Sequence, residues 1–267
     1  MQVSKRIILP VTIVISSLGG FLLRLFQRKH ELLADGSVAE GAYLHMLLLI
    51  LSAIFIATVA AIIWKLQPRT AWSQLSNRKM LPIIPLVAAA ALLFANLVVL
   101  TKGIPVASPY VTSAPEFSNF LNHLLPPLGI VAAVCIALFS YKCFVGQRTS
   151  PALYMLVSLY LVIRLIVSFQ AWNTDPSIHD YCYALLATIS AMLATFHMAG
   201  FSFDKGKRRM SLFWIVCALF FCTITLADSI YDSDLSELLI YLSLILSLGF
   251  NLVQLLCGNE ENIAIEE

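Results

Sequence analysis

Eight stretches of the chain run for about twenty residues with almost no charge: 7–27, 41–66, 81–101, 120–145, 153–172, 181–203, 211–229 and 236–256. A hydrocarbon core about 30 Å thick takes roughly 20 apolar residues of α-helix at 1.5 Å each. None of the stretches alternates apolar and polar positions as a barrel strand does, which leaves helices as the spanning elements. The pattern predicts an all-α, polytopic membrane protein of about eight helices. The first stretch follows Lys5 and Arg6 but lacks a clean small-x-small cleavage site, so it is expected to stay as a membrane helix.

The pattern also repeats. Arg24-Leu25 recurs as Arg164-Leu165, an ungapped offset of 140 (164 − 24), and the match continues through a short acidic turn. Asp35 faces Asp175, Ser37-Val38 faces Ser177-Ile178, Glu40 faces Asp180, and Tyr43 faces Tyr183. Weaker echoes follow: Lys79-Met80 with Arg209-Met210, and Phe117-Ser118-Asn119 with Leu235-Ser236-Glu237. The expected organisation is one membrane domain made of two four-helix units, 1–147 and 148–267. An even number of helices per unit makes this a parallel 4+4 internal repeat. The halves differ in Pro126-Pro127 of the fourth stretch, expected to bend it or free carbonyls, and in the Pro-rich connection 102–119.

Charge adds an orientation. Lys and Arg gather in alternate loops: Lys65, Arg69, Arg78 and Lys79; then Lys142 and Arg148; then Lys205, Lys207, Arg208 and Arg209. The positive-inside rule places these loops and both termini in the cytoplasm and the acidic turns outside, in a plasma membrane, read as bacterial. Only the first turn dissents, with Arg28 and Lys29, and it also carries Glu31, Asp35 and Glu40.

Composition agrees. The chain is 60% hydrophobic and 12% charged, with a mean hydropathy of +0.86, against about 25% charged residues in soluble domains. A net charge of +2 spread over several loops carries no nucleic-acid signature. Five of the six cysteines fall in or beside apolar runs, as small buried hydrophobes do, and none forms a C-x-x-C pair. No metal site or cofactor is expected: His179-Asp180-Tyr181-Cys182 has no second ligand cluster, and His30-Glu31 is not followed by a second His. No nucleophile elbow or Walker loop occurs, so enzymatic activity is not the leading expectation.

The residues able to carry chemistry are the charges inside the spans. Arg164 lies about 18 Å along its helix, deep enough to need protein or water around it and a partner. Asp175, Asp180, Asp228 and Glu237 are candidate partners. Arg24 lies nearer the interface. A planar guanidinium holds carboxylate or phosphate through two bonds, and it can equally clamp a helix to an acid. His123 and His197 are candidate relays or hydrogen-bonding residues, and Asn96, Asn251 and Gln254 are candidate links between helices. The site expected from these residues comprises Arg24 and Arg164, their acidic partners Asp35, Asp175, Glu40, Asp180 and Asp228, entrance-lining Tyr43 and Tyr183, and His123. The leading expectation is a permease or solute-binding component with an outward-facing site for a small anion. Its alternatives are an accessory, structural or sensory subunit docking a membrane protein partner, and an intramembrane lipid-modifying enzyme.

Overall fold

The computed structural model describes residues 2–31, 42–66, 83–102, 116–172 and 178–257. They form eight helices and, among the described residues, no strand: α1 Gln2–His30, α2 Leu44–Trp64, α3 Ile83–Lys102, α4 Glu116–Val145, α5 Pro151–Trp172, α6 Ile178–Ser202, α7 Arg208–Tyr231 and α8 Leu235–Cys257. Each contains a stretch of at least 19 residues apolar enough to cross a membrane. The chain is a multi-pass helical membrane protein. The helix α4 continues through Pro126-Pro127, each of which lacks the N–H that would bond four residues back.

Six helices close a ring: α3 packs on α4, α4 on α5, α5 on α6, α6 on α7, α7 on α8, and α8 back on α3. The pair α1–α2 lies outside that ring against α7, and α6 reaches α8 across it over a narrow contact. Helix α7 is common to both groups. Accordingly, 72% of its spanning window is buried, against 28% in α1 and in α2. Its sequence fits that place, with small and apolar residues on all sides: Ala218, Cys222 and Ala227 among Ile215, Phe220 and Ile224, all buried. Lipid offers no hydrophobic drive between helices, so close packing must supply cohesion. Gly20 in α1 shows it: a Cβ there would stand 2.9 Å from Ile224 of α7.

Side-chain contacts define the two ends of the bundle. At the α6–α7 end, arginines cap helix C-termini, where the last carbonyls have no intrahelical donor. Arg208 Nε donates to the Leu255 carbonyl of α8 at 3.1 Å, and Arg209 Nε to the Leu66 carbonyl after α2 at 2.8 Å. Arg148 donates to the Ser202 carbonyl of α6 through Nη2 at 2.6 Å and pairs with Asp204. Asp204 there has a left-handed φ of 54°.

At the opposite, α7–α8 end, acids cap helix N-termini. Glu31 is buried just beyond α1, and its carboxylate accepts the N–H groups of Tyr43, Leu44 and His45 at 2.9, 2.8 and 3.2 Å. Asp234 Oδ1 accepts from Ser236 N and Glu237 N at the start of α8. The turn before it passes through Ser233 with φ 56°. Replacing Glu31 with alanine strips α2 of this cap and is expected to lower stability by about 0.5–2 kcal/mol. Thermal unfolding in detergent measures the loss, and a melting point unchanged by Glu31→Ala would contradict the capping role.

Candidate functional site

Both repeated arginines lie at the α7–α8 end, and both pair with acids of the α7–α8 hairpin. Arg24, fully buried, donates from Nε to Asp228 Oδ1 at 2.7 Å and from Nη1 to Gln27 Oε1 at 3.0 Å. Its guanidinium stands 5.2 Å from the centre of the Tyr183 ring of α6. One turn along α1, Arg28 Nε reaches the same Asp228 oxygen at 2.7 Å, and its Nη2 reaches Asp232 at 3.2 Å. Two cations thus converge on one α7 carboxylate, with Asp232 supplying the second negative charge. These bonds lock α1 to α7.

Arg164 is arranged differently. It sits inside the ring, 5% exposed, and Nη2 donates to Glu237 Oε2 at the start of α8. The Tyr241 ring, one turn further along α8, faces the guanidinium at 5.5 Å. Arg164 Nε has no hydrogen-bond partner among the described residues, and neither has the buried Tyr160 hydroxyl one turn back on α5. The Asn96 amide of α3 and the Arg164 guanidinium both lie within polar reach of that hydroxyl, in poorer geometry than a regular hydrogen bond, and the Tyr241 hydroxyl lies likewise beside Arg164. The Asn96 amide lies directly over Gly129 of α4, where a Cβ would stand 2.0 Å from its Oδ1. Only a glycine on α4 leaves that amide its room. The Glu237 side chain is 39% exposed, so the buried arginine is paired with an acid at the bundle surface.

A buried guanidinium with an unsatisfied Nε carries a penalty of roughly 1–3 kcal/mol, more where the donor is charged. The Nε–Nη2 edge is the one that can hold a carboxylate through two parallel bonds. Glu237 is recorded on Nη2 alone. The Nε is thus left without a hydrogen-bond partner among the described residues, with the Tyr160 and Tyr241 phenols beside the guanidinium.

Below Arg164, α5 and α8 meet through side chains although their backbones are not among the closely packed pairs. Tyr154 OH donates to Asn251 Oδ1 at 3.5 Å, and Gln254 Nε2 reaches Cys143 Sγ of α4 at 3.4 Å. Phe139 of α4 stacks obliquely on Tyr154 at 4.9 Å and meets Phe250 edge-on at 6.1 Å. Asn251 and Gln254 thus join helices as their sequence suggests, while Asn96 donates within its own helix to the Leu92 carbonyl.

Of the residues singled out in the sequence, the structure groups Arg24, Asp228 and Tyr183, and sets Arg164 apart with Glu237. Asp35, Glu40 and Asp175 lie outside the described residues; Asp180 belongs to α6, its side chain outside them. Tyr43 is 71% exposed and contributes its backbone N–H to Glu31. His123 is exposed near the start of α4. Sequence reasoning passed over Gln27, Arg28, Tyr160 and Tyr241. A signal existed for two of them: Arg24 and Arg28 are one turn apart, as are Tyr160 and Arg164, so each pair shares a helix face.

The five described cysteines form no disulfide, and no group of three potential metal ligands occurs among the described residues. Compared with known protein families, with characterised proteins and with solved structures, the chain matches none.

Proposed function

We propose that this protein is a membrane permease or solute-binding component whose site is centred on Arg164 and takes a small carboxylate. The observation that carries the reading is the buried guanidinium whose Nε has no hydrogen-bond partner among the described residues, beside the buried Tyr160 hydroxyl, with its recorded counter-charge, Glu237, 39% exposed. A ligand carboxylate would take Nε and Nη2 together and accept from Tyr160, while Glu237 turns to solvent. The ligand substitutes one carboxylate for another, so the charge inside the ring is conserved. Arg24 serves the fold in this reading, because Asp228 and Asp232 balance it and Arg28.

The basic loops support an orientation with the α6–α7 end and both termini in the cytoplasm of a bacterial cell, so that the Arg164 site opens outward. A duplication of 1–147 into 148–267 explains the matched Arg24 and Arg164.

The test is thermal unfolding of the purified protein with benzoate or lactate, and with methylammonium as a cationic control. A ligand at 100 times its Kd adds about 2.7 kcal/mol to the native state, or about 5–10 °C in the midpoint for a chain of this size. Arg164→Gln should abolish the shift. Glu237→Gln should melt lower without ligand and bind benzoate at least five-fold more tightly, because the competing carboxylate is gone. If Glu237→Gln destabilises the protein and no carboxylate restores it, the pair is a clamp and the reading fails.

A further inference from the structure

We infer that the axis of the six-helix ring is the conducting path of this permease, and that Tyr154, Asn251 and Gln254 form a second polar station on it. The inference rests on the Arg164 reading and extends it from a binding site to a route.

The facing stripes of α5 and α8 carry the argument. Running toward the α6–α7 end, α5 presents Arg164, Leu161, Val157 and Tyr154, at three- and four-residue steps. Helix α8, running in the same direction, presents Glu237, Tyr241, Leu244, Leu248 and Asn251 at the same steps. Side-chain bonds join the two stripes at both ends: Arg164 to Glu237, and Tyr154 to Asn251. Between them lie Leu161, Val157, Leu244 and Leu248, all buried. Arg164 and Tyr154 are ten residues apart (164 − 154), about 15 Å along the helix. The ring interior is thus polar, then apolar for two turns, then polar again.

Polar groups inside a membrane protein concentrate where water or solute passes, because each would otherwise have to be fully satisfied within the fold. Among the described residues the second station is under-satisfied: Gln254 Oε1 is buried without a partner, and Gln254 Nε2 meets a thiol, a weak acceptor. The Tyr154–Asn251 bond is at the 3.5 Å limit. Amide and phenol donors suit an anion that has left Arg164, since they can hold it without trapping it by full charge. The Phe139–Tyr154–Phe250 cluster borders the station, with Phe139 one turn before Cys143 on α4 and Phe250 one turn before Gln254 on α8, on the Arg164 side of both.

Cys143 reports on this station, because its Sγ lies against Gln254. The experiment uses full-length protein in liposomes with Cys143 as its one remaining cysteine. Modification is timed with an anionic methanethiosulfonate, its cationic analogue, and benzoate as competitor. The expected result is at least five-fold faster reaction with the anionic reagent, lost in Arg164→Gln, and slowing by benzoate. A Cys143 that never reacts, or that reacts at rates indifferent to reagent charge and to Arg164, overturns the path. Benzoate binding is followed separately by thermal shift. A shift without any effect on Cys143 overturns the path and leaves the Arg164 site standing. Charge-selective, Arg164-dependent reaction without a benzoate shift supports the path and removes the carboxylate reading of the site.

Discussion

Asp228→Ala is expected to destabilise the protein by about 3–5 kcal/mol, the range found when one partner of a buried ion pair is removed. The loss follows from the geometry around one oxygen. Asp228 Oδ1 accepts from Arg24 Nε and from Arg28 Nε, each at 2.7 Å. Arg28 keeps Asp232 when Asp228 is truncated, while the fully buried Arg24 loses its 2.7 Å bond to α7 and keeps those to Gln27 and the Tyr183 ring. The side-chain bond that ties Arg24 of α1 to α7 would then be gone, and the outboard α1–α2 pair would separate first from the ring. Thermal unfolding in a mild detergent measures the cost. The double variant Asp228→Ala with Arg24→Met should recover much of it, because charge and counter-charge are then removed together. A single variant that melts within a degree of the native protein would show that the pair contributes nothing to holding α1.

Gly129→Ala is expected to cost about 1–3 kcal/mol, as overpacking of a filled interior does. The added Cβ would lie 2.0 Å from Asn96 Oδ1, 2.3 Å from Cγ and 2.5 Å from Nδ2, so the whole amide must move. Asn96 is buried and its Nδ2 is committed to the Leu92 carbonyl at 2.8 Å, which leaves the side chain little room to yield. The alternative is to part α3 from α4, which would open the ring at the level of Tyr160. Adding Asn96→Ala to Gly129→Ala should restore the melting point by removing the obstacle. If the single variant is as stable as the native protein, the two helices are not in contact as described.

The helices were legible in the sequence because apolar length alone determines what a bilayer accepts. The demand that Arg164 be enclosed and paired was legible too, since the cost of an intramembrane guanidinium does not depend on the fold around it. The identity of the partners was harder to see. Asp228 is 204 positions from Arg24, on a helix whose position in the bundle follows from packing that no local pattern encodes. A strong sequence match around each arginine draws attention first to the acids of the same hairpin, whereas the described partners come from α7 and α8: Glu237 is among the candidates for Arg164, and Asp228 pairs instead with Arg24. Glu31 was visible only as one more acid in a turn. The start of α2, Tyr43-Leu44-His45, offers no Ser, Thr, Asp or Asn to cap it, and that gap is what calls for an acid from outside the helix. The ring itself was not legible, because α7 is apolar on every side and gives no phase by which to orient its neighbours.

The arginine caps at the α6–α7 end bear on how the chain's topology can be re-engineered. Charge-reversal experiments treat each cation near a span as an interchangeable topological label. Here Arg148, Arg208 and Arg209 also close the carbonyl ends of α6, α8 and α2, so deleting them removes a label and frays a helix at once. The side chains of Lys65, Lys142, Lys205 and Lys207 take no part in those three caps. Changing charge at the lysines would leave those three caps in place, whereas deleting the arginines would remove them and confound a change of orientation with a loss of packing.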